Sequence, residues 1–168
     1  MEQTLKKWIN LLTELGLTVA LVESSTGGYA ASSMTAIPGV SKVFKGGFVP
    51  YANSIKEEVL DISPELIETY GAVSEEVVRG LAIAGIRLSR ADICLAESGI
   101  LGPGGSTAEK PVGTYCLAMA LRSGPKFSKQ AQARGSRLEI RAAIVKDMYD
   151  WAGELISESR DSWAILQS

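Results

Sequence analysis

Residues 17 to 22, LTVALV, form an unbroken apolar run rich in β-formers, and the next six, ESSTGG, are all polar or tiny. A short continuous run of this kind suits a strand buried on both faces. Helical periodicity resumes after Gly27 and Gly28 and continues to about Ala36, where Pro38 and Gly39 break it. A buried strand that becomes a helix within six residues calls for helices packed on a sheet. It also sets a turn beyond the carboxyl end of a strand, where backbone can approach a ligand.

The rest of the chain repeats this alternation. Residues 4 to 15 carry Leu5, Trp8, Ile9, Leu12 and Leu15 on one helical face, and Gly16 ends that helix. After the turn SKVF, the run GGFVPY reads as a strand ending near Tyr51, and Pro50 makes it an edge strand or its end. Asn53 is expected to cap a helix over 54 to 60. Ser63 and Pro64 start another, which stops at Gly71. Ser74 caps a third, with Glu75 and Glu76 in its first turn. Residues 92 to 97, 112 to 121 and 126 to 133 read as strands, the last two joined by RSGP as an antiparallel pair. A long helix over 136 to 158 follows, then a loosely held tail over 159 to 168. The expectation is a single α/β domain over 1 to 158, a mixed sheet flanked by helices on both faces.

Charge and absences narrow the chemistry. The net charge is -2 over 168 residues, which argues against a nucleic-acid or acidic-membrane partner. No run approaches the ~18 apolar residues of a membrane span, and the N-terminus lacks a signal-peptide pattern, so a cytoplasmic location is expected. The chain has no histidine, which removes Ser-His-Asp and Cys-His catalysis and His-ligated zinc. Cys94 and Cys116 sit in apolar strand-like runs and read as buried core residues.

Four stretches carry polar residues beyond what folding needs. In ESSTGG a serine is either a nucleophile or a helix cap. YANSIKEE offers Tyr51, Asn53 and Lys56. A desolvated lysine can serve as base to a serine where histidine is missing, whereas an exposed one simply pairs with Glu57 or Glu58. Residues 98 to 111 read as a glycine-rich loop: SGILGPGGSTAEKPVG packs five glycines into sixteen residues without forming a Walker A or dinucleotide fingerprint. Glu109 and Lys110 within it read as a surface pair. In RGSRLEIR, Arg137 lies in the first turn of a helix, where a cation opposes the dipole. It either holds a phosphate or pairs with an acid such as Glu139.

Taken in order, ESSTGG, PGVSKVF, GGFVPYANSIK, GAVS, SGILGPGGSTAEKPVGT and GSRLEIR resemble the motifs of the CinA C-terminal domain family, the nicotinamide mononucleotide deamidases. The resemblance covers about residues 1 to 158. It implies a stand-alone form of the domain that hydrolyses the carboxamide of nicotinamide mononucleotide to nicotinate mononucleotide and ammonia, in salvage of pyridine nucleotides. It implies Ser24 as nucleophile, Lys56 as base and Tyr51 beside them. It further implies an oxyanion site at the amides of Thr26, Gly27 and Gly28. Substrate contacts would come from Ser41, Asn53, Ser98, Gly99, Gly102, Gly104, Gly105, Arg137 and Arg141. No metal or cofactor is implied. A homo-oligomer is expected, a dimer favoured by the apolar faces of residues 74 to 88 and 136 to 158.

Three positions depart from the resembled pattern. Ser25 stands where cysteine is usual and is expected only to pack against the turn. Leu101 replaces an alanine and could shrink the pocket. Glu97 stands where a small or apolar residue is commoner, and would repel a phosphate if it pointed inward. Leu101 and Glu97 motivate the alternative of a catalytically silent or differently specific nucleotide-binding protein.

Overall fold

A computed structural model describes residues 1–124 and 126–158; the expected tail over 159 to 168 lies outside them. The elements run α1 (Glu2–Leu15), β1 (Val19–Glu23), α2 (Tyr29–Thr35), a 3-10 turn (Val40–Lys42), β2 (Phe44–Phe48), α3 (Asn53–Glu58), α4 (Pro64–Tyr70), α5 (Glu75–Ser89), β3 (Ile93–Gly99), β4 (Thr114–Leu121), β5 (Lys126–Gln132) and α6 (Arg137–Glu158). The five strands form one mixed sheet in the order β2-β1-β3-β4-β5. β1 lies parallel to both β2 and β3, and β4 and β5 run antiparallel to their neighbours.

Alternation along the strands divides the core in two. Val19, Leu21, Ile93, Leu95, Leu117 and Met119 point to the face covered by α1, α2 and α6. Each fully buried Leu or Met of this set stabilises the fold by about 1.5–3 kcal/mol. The opposite face carries Ala20, Val22, Cys94, Ala96, Cys116 and Ala118, and is covered by α4 and α5. These small side chains let α5 approach closely. A Cβ at Gly85 would lie 2.3 Å from the Cys94 sulfur, so that contact requires glycine. Both cysteines are buried and free, as expected. Burial pushes the Cys94 thiol far up and that of Cys116 to about 11, which suits neither for nucleophilic work.

Helix ends follow their local chemistry. Gly16 adopts φ 64°, and the Leu17 amide returns to the Leu12 carbonyl to close α1. Ser74 Oγ accepts from the Val77 amide at 3.3 Å. Ser136 and Glu139 form a reciprocal capping box: the Glu139 carboxylate accepts from the Ser136 amide at 2.7 Å, and the Glu139 amide donates to Ser136 Oγ.

Of the boundaries that differ from expectation, three bear on the site. β2 ends at Phe48 rather than near Tyr51, two residues before Pro50, and it is an edge strand. Asn53 is the first residue of α3 rather than its cap; Ala52 takes that place without a side-chain hydrogen bond. β3 continues through Ser98 and Gly99 because both pair with β4, so the long loop starts at Ile100.

Candidate active site

β1, β2 and β3 are parallel, so their carboxyl ends lie on one edge of the sheet. A cavity of about 570 Å3 opens there. β1 ends into Ser24 and Ser25, and β3 delivers Ser98 and Gly99. The segment after β2 contributes Tyr51, Asn53 and Lys56. The glycine-rich loop lines the cavity with Leu101, Gly102, Gly104 and Gly105, and α6 sends in Arg137. Ten of the candidate residues therefore meet in one place, although they come from five separate segments.

Lys56 is the central departure from ordinary surface chemistry. Only 1% of it is exposed, and among the described residues it forms no salt bridge, with Glu57, Glu58 or any other acid. Its ammonium donates to the Tyr51 carbonyl at 3.2 Å. Burial lowers its pKa from the ordinary 10.5, and the charge of Glu97, when ionised, works in the opposite direction. Ser24 is also buried, and its amide donates to the Glu97 carbonyl at 3.3 Å. Among the described residues its hydroxyl has no hydrogen-bond partner. Ser24 is neither the cap of α2 nor part of a surface turn: Gly28 occupies the cap position.

Arg137 ties the cavity's rim together. One guanidinium nitrogen donates to the Gly102 carbonyl at 2.6 Å and another to the Tyr51 hydroxyl at 3.2 Å. It does not pair with Glu139, whose carboxylate is taken by Ser136. The rim still exposes Tyr51, and Arg137 sits beside open solvent where an anionic group could enter.

Five candidates fall elsewhere. Thr26 is fully buried, and its amide donates to the Glu97 carboxylate at 2.9 Å, so it cannot serve an oxyanion. Gly27 and Gly28 do not line the cavity; the chain turns away at them with positive φ to enter α2. Ser41 is exposed in the 3-10 turn, outside the cavity. Arg141 lies one turn beyond Arg137, with its guanidinium over the Tyr29 ring at 4.7 Å rather than in the cavity. The Ser25 amide, by contrast, lies next to Ser24 and has no acceptor among the described residues.

Several residues of the site escaped the sequence reading. Gly71, Ala72 and Val73 line the cavity, and Lys110 fixes that segment by donating to the carbonyls of Tyr70 at 2.8 Å and Val73 at 2.7 Å. Lys110 is thus a clamp between two loops, not half of a surface pair with Glu109. The GAVS motif was the available signal for this segment. Ser25 does more than pack: its hydroxyl donates to the Glu97 carboxylate. Two of the three departures from the resembled pattern thus touch each other. Glu97 is fully buried below the turn rather than directed at a ligand, and Leu101 is 5% exposed and packs into the core. No group of three or more Cys, Asp or Glu among the described residues is arranged to hold a metal. No described helix is long and apolar enough to cross a membrane.

Comparison with known proteins agrees with this fold. The family model described as the CinA C-terminal domain matches residues 1–156. A "CinA-like protein" of Chlorobium luteolum is 46% identical over 84% of the chain, and one of Geotalea uraniireducens is 44% identical over 84%. The chain spans about a third of the length of these curated relatives, 35% and 34%. Among solved structures, the competence/damage inducible protein CihA of Agrobacterium tumefaciens is 38% identical, with a TM-score of 0.86 over 90% of this chain and 92% of that one. A CinA superfamily protein of Klebsiella pneumoniae is 26% identical, with a TM-score of 0.90 over 94% and 98%. Matched along nearly all of its described length in sequence and in fold, the chain belongs to the CinA C-terminal domain family.

Proposed function

We propose that this site hydrolyses the carboxamide of nicotinamide mononucleotide, releasing nicotinate mononucleotide and ammonia. The observation that carries this reading is the pairing, in one cavity, of a buried lysine and a serine hydroxyl that have, among the described residues, no counter-ion and no hydrogen-bond partner respectively. A lysine whose pKa is lowered by burial has a larger neutral fraction, and a neutral amine is a base. Lys56 takes the proton of Ser24 as its Oγ attacks the amide carbon. The negative oxygen of the tetrahedral intermediate accepts from the Ser25 amide. Collapse breaks the C–N bond, and Lys56 returns its proton to the departing ammonia. Water, deprotonated by the same lysine, then attacks the acyl-serine, and the proton goes back to Ser24.

Arg137 suits the phosphate of the mononucleotide, since guanidinium and phosphate match in charge and donor geometry. Its two present acceptors, a carbonyl and a hydroxyl, are neutral and can be exchanged for an anion. The direct test is ammonia release from nicotinamide mononucleotide by the purified chain. Turnover is expected. Binding of the mononucleotide without turnover would replace this reading by that of a catalytically silent nucleotide-binding protein. Arg137→Ala is expected to raise KM for the mononucleotide by roughly 10- to 100-fold, the worth of one charge-assisted contact. It should change KM little for nicotinamide riboside, which lacks the phosphate. Equal effects on both substrates would remove Arg137 from phosphate binding.

A further inference from the structure

The buried network beneath Ser24 contains two carboxylates. Glu23 ends β1 and stands opposite Glu97 of the neighbouring parallel strand β3, in register. Both are at most 1% exposed. Both reach the same hydroxyl: Thr26 Oγ lies 2.6 Å from a Glu23 oxygen and 2.8 Å from a Glu97 oxygen. A threonine hydroxyl has a single proton and can donate to one of them. If both carboxyls were ionised, the second contact would be two bare oxygens in a buried site. The geometry is satisfied when one carboxyl donates to Thr26 while Thr26 donates to the other.

The remaining partners decide which carboxyl holds the proton. Glu23 also accepts from two amides, Ala30 at 2.9 Å and Ala31 at 2.8 Å, and amides cannot reverse their direction. Glu97 has one amide, that of Thr26, and two hydroxyls, those of Ser25 and Thr26, either of which can accept as well as donate. Burial also raises the Glu97 pKa above its ordinary value, against the lowering effect of its hydrogen bonds. Charged and titratable groups that bear on this network are Glu23 from β1, Lys56 from α3 and Tyr149 from α6, whose ring is influenced by Glu23.

We propose that Glu97 is a positioning residue that holds a proton at neutral pH, shared with Glu23 through Thr26, and grips the Ser24 turn as a neutral group. Its carbonyl holds the Ser24 amide, and its carboxyl holds the Ser25 hydroxyl and the Thr26 amide. It thereby fixes the turn without giving Lys56 a counter-ion, which leaves the lysine free to act as a base. As a role in catalysis this rests on the Ser24–Lys56 reading; the shared proton does not.

Infrared spectroscopy of the whole chain at neutral pH tests the proton directly. A carbonyl stretch of a protonated carboxyl is expected, lost in Glu97→Gln and shifted in Ser25→Ala, which removes one hydrogen bond. Absence of that band in the unmutated protein, or its persistence unshifted in both variants, would overturn the proposal. The kinetic arm separates role from structure. Glu97→Ala is expected to lower kcat by roughly 100-fold through a misplaced turn. In Glu97→Gln the acid limb of the pH–rate profile should stay in place, because one neutral group replaces another. A limb displaced to lower pH would mean that an ionised Glu97 had been raising the Lys56 pKa, and would also overturn the proposal. Absence of turnover in the unmutated protein would fail the amidase reading alone, since the infrared band can still be measured.

Discussion

Ser24→Ala is expected to lower ammonia release from nicotinamide mononucleotide by roughly 10³-fold or more, while mononucleotide binding and stability stay close to those of the unmutated chain. The size follows from the role: removing a nucleophile deletes the covalent route and leaves only what binding and oxyanion donors supply. The unchanged stability follows from the structure. Ser24 Oγ makes no hydrogen bond among the described residues, and its backbone contact to Glu97 survives the substitution. Binding survives because Arg137 and the glycine-rich loop are untouched.

The comparison that gives this experiment its force is Ser25→Ala. Both serines line the same cavity, so proximity alone does not choose between them. Their partners do. The Ser25 hydroxyl is committed to Glu97, whereas that of Ser24 is free to approach a substrate carbon. Ser25→Ala is therefore expected to lose less activity than Ser24→Ala. Single-turnover measurement of ammonia release from each variant checks this. If the larger loss falls on Ser25, the nucleophile has been assigned to the wrong residue, and Glu97 becomes the group next to it.

Much of this arrangement could be read from the chain itself, and the reasons are local. LTVALV is too apolar to be anything but interior, and Gly16, Pro64, Gly71 and Ser74 mark helix ends by rules that act within a few residues. Ser98 and Gly99 were expected to lie in a loop because glycine is a poor strand former. They are strand residues because β4 pairs with them, through Cys116 and Tyr115 on a strand that follows the loop. The burial of Lys56 was equally hidden. It sits on a six-residue helix with glutamates next to it, a pattern that normally stays in water. The Glu23–Thr26–Glu97 network depends on the register of two strands about seventy residues apart. Thr26 looked available to a ligand for the same reason; its amide is spent on Glu97. Arg137 and Arg141 look interchangeable in GSRLEIR, yet one reaches the cavity and the other covers Tyr29. Separations of four along a helix fix a shared face, not a shared destination.

Lys56→Met is expected to abolish ammonia release and, at the same time, to stabilise the fold. The activity loss follows from removing the base, on the order of 10²- to 10⁴-fold. The stability gain follows from burial. A lysine that is 1% exposed, and whose ammonium has one carbonyl as its partner among the described residues, is poorly compensated for the water it has lost. Methionine has a similar unbranched length and no charge. The expected gain is about 1 kcal/mol at acidic pH, or roughly 2–4 °C in Tm for a chain of this size. Its pH dependence has a fixed sign. Burial makes the folded state bind the Lys56 proton less tightly than the unfolded state does, so the lysine's penalty is greatest below its folded pKa. The penalty fades as pH rises toward the ordinary 10.5, where the unfolded lysine also loses its proton. Thermal denaturation of both proteins across this range should show the gap in Tm closing with rising pH. A destabilised Lys56→Met protein would mean that the ammonium has an ionised partner which the substitution strands. Glu97 is the acid whose charge reaches it, so that outcome would also count against a neutral Glu97.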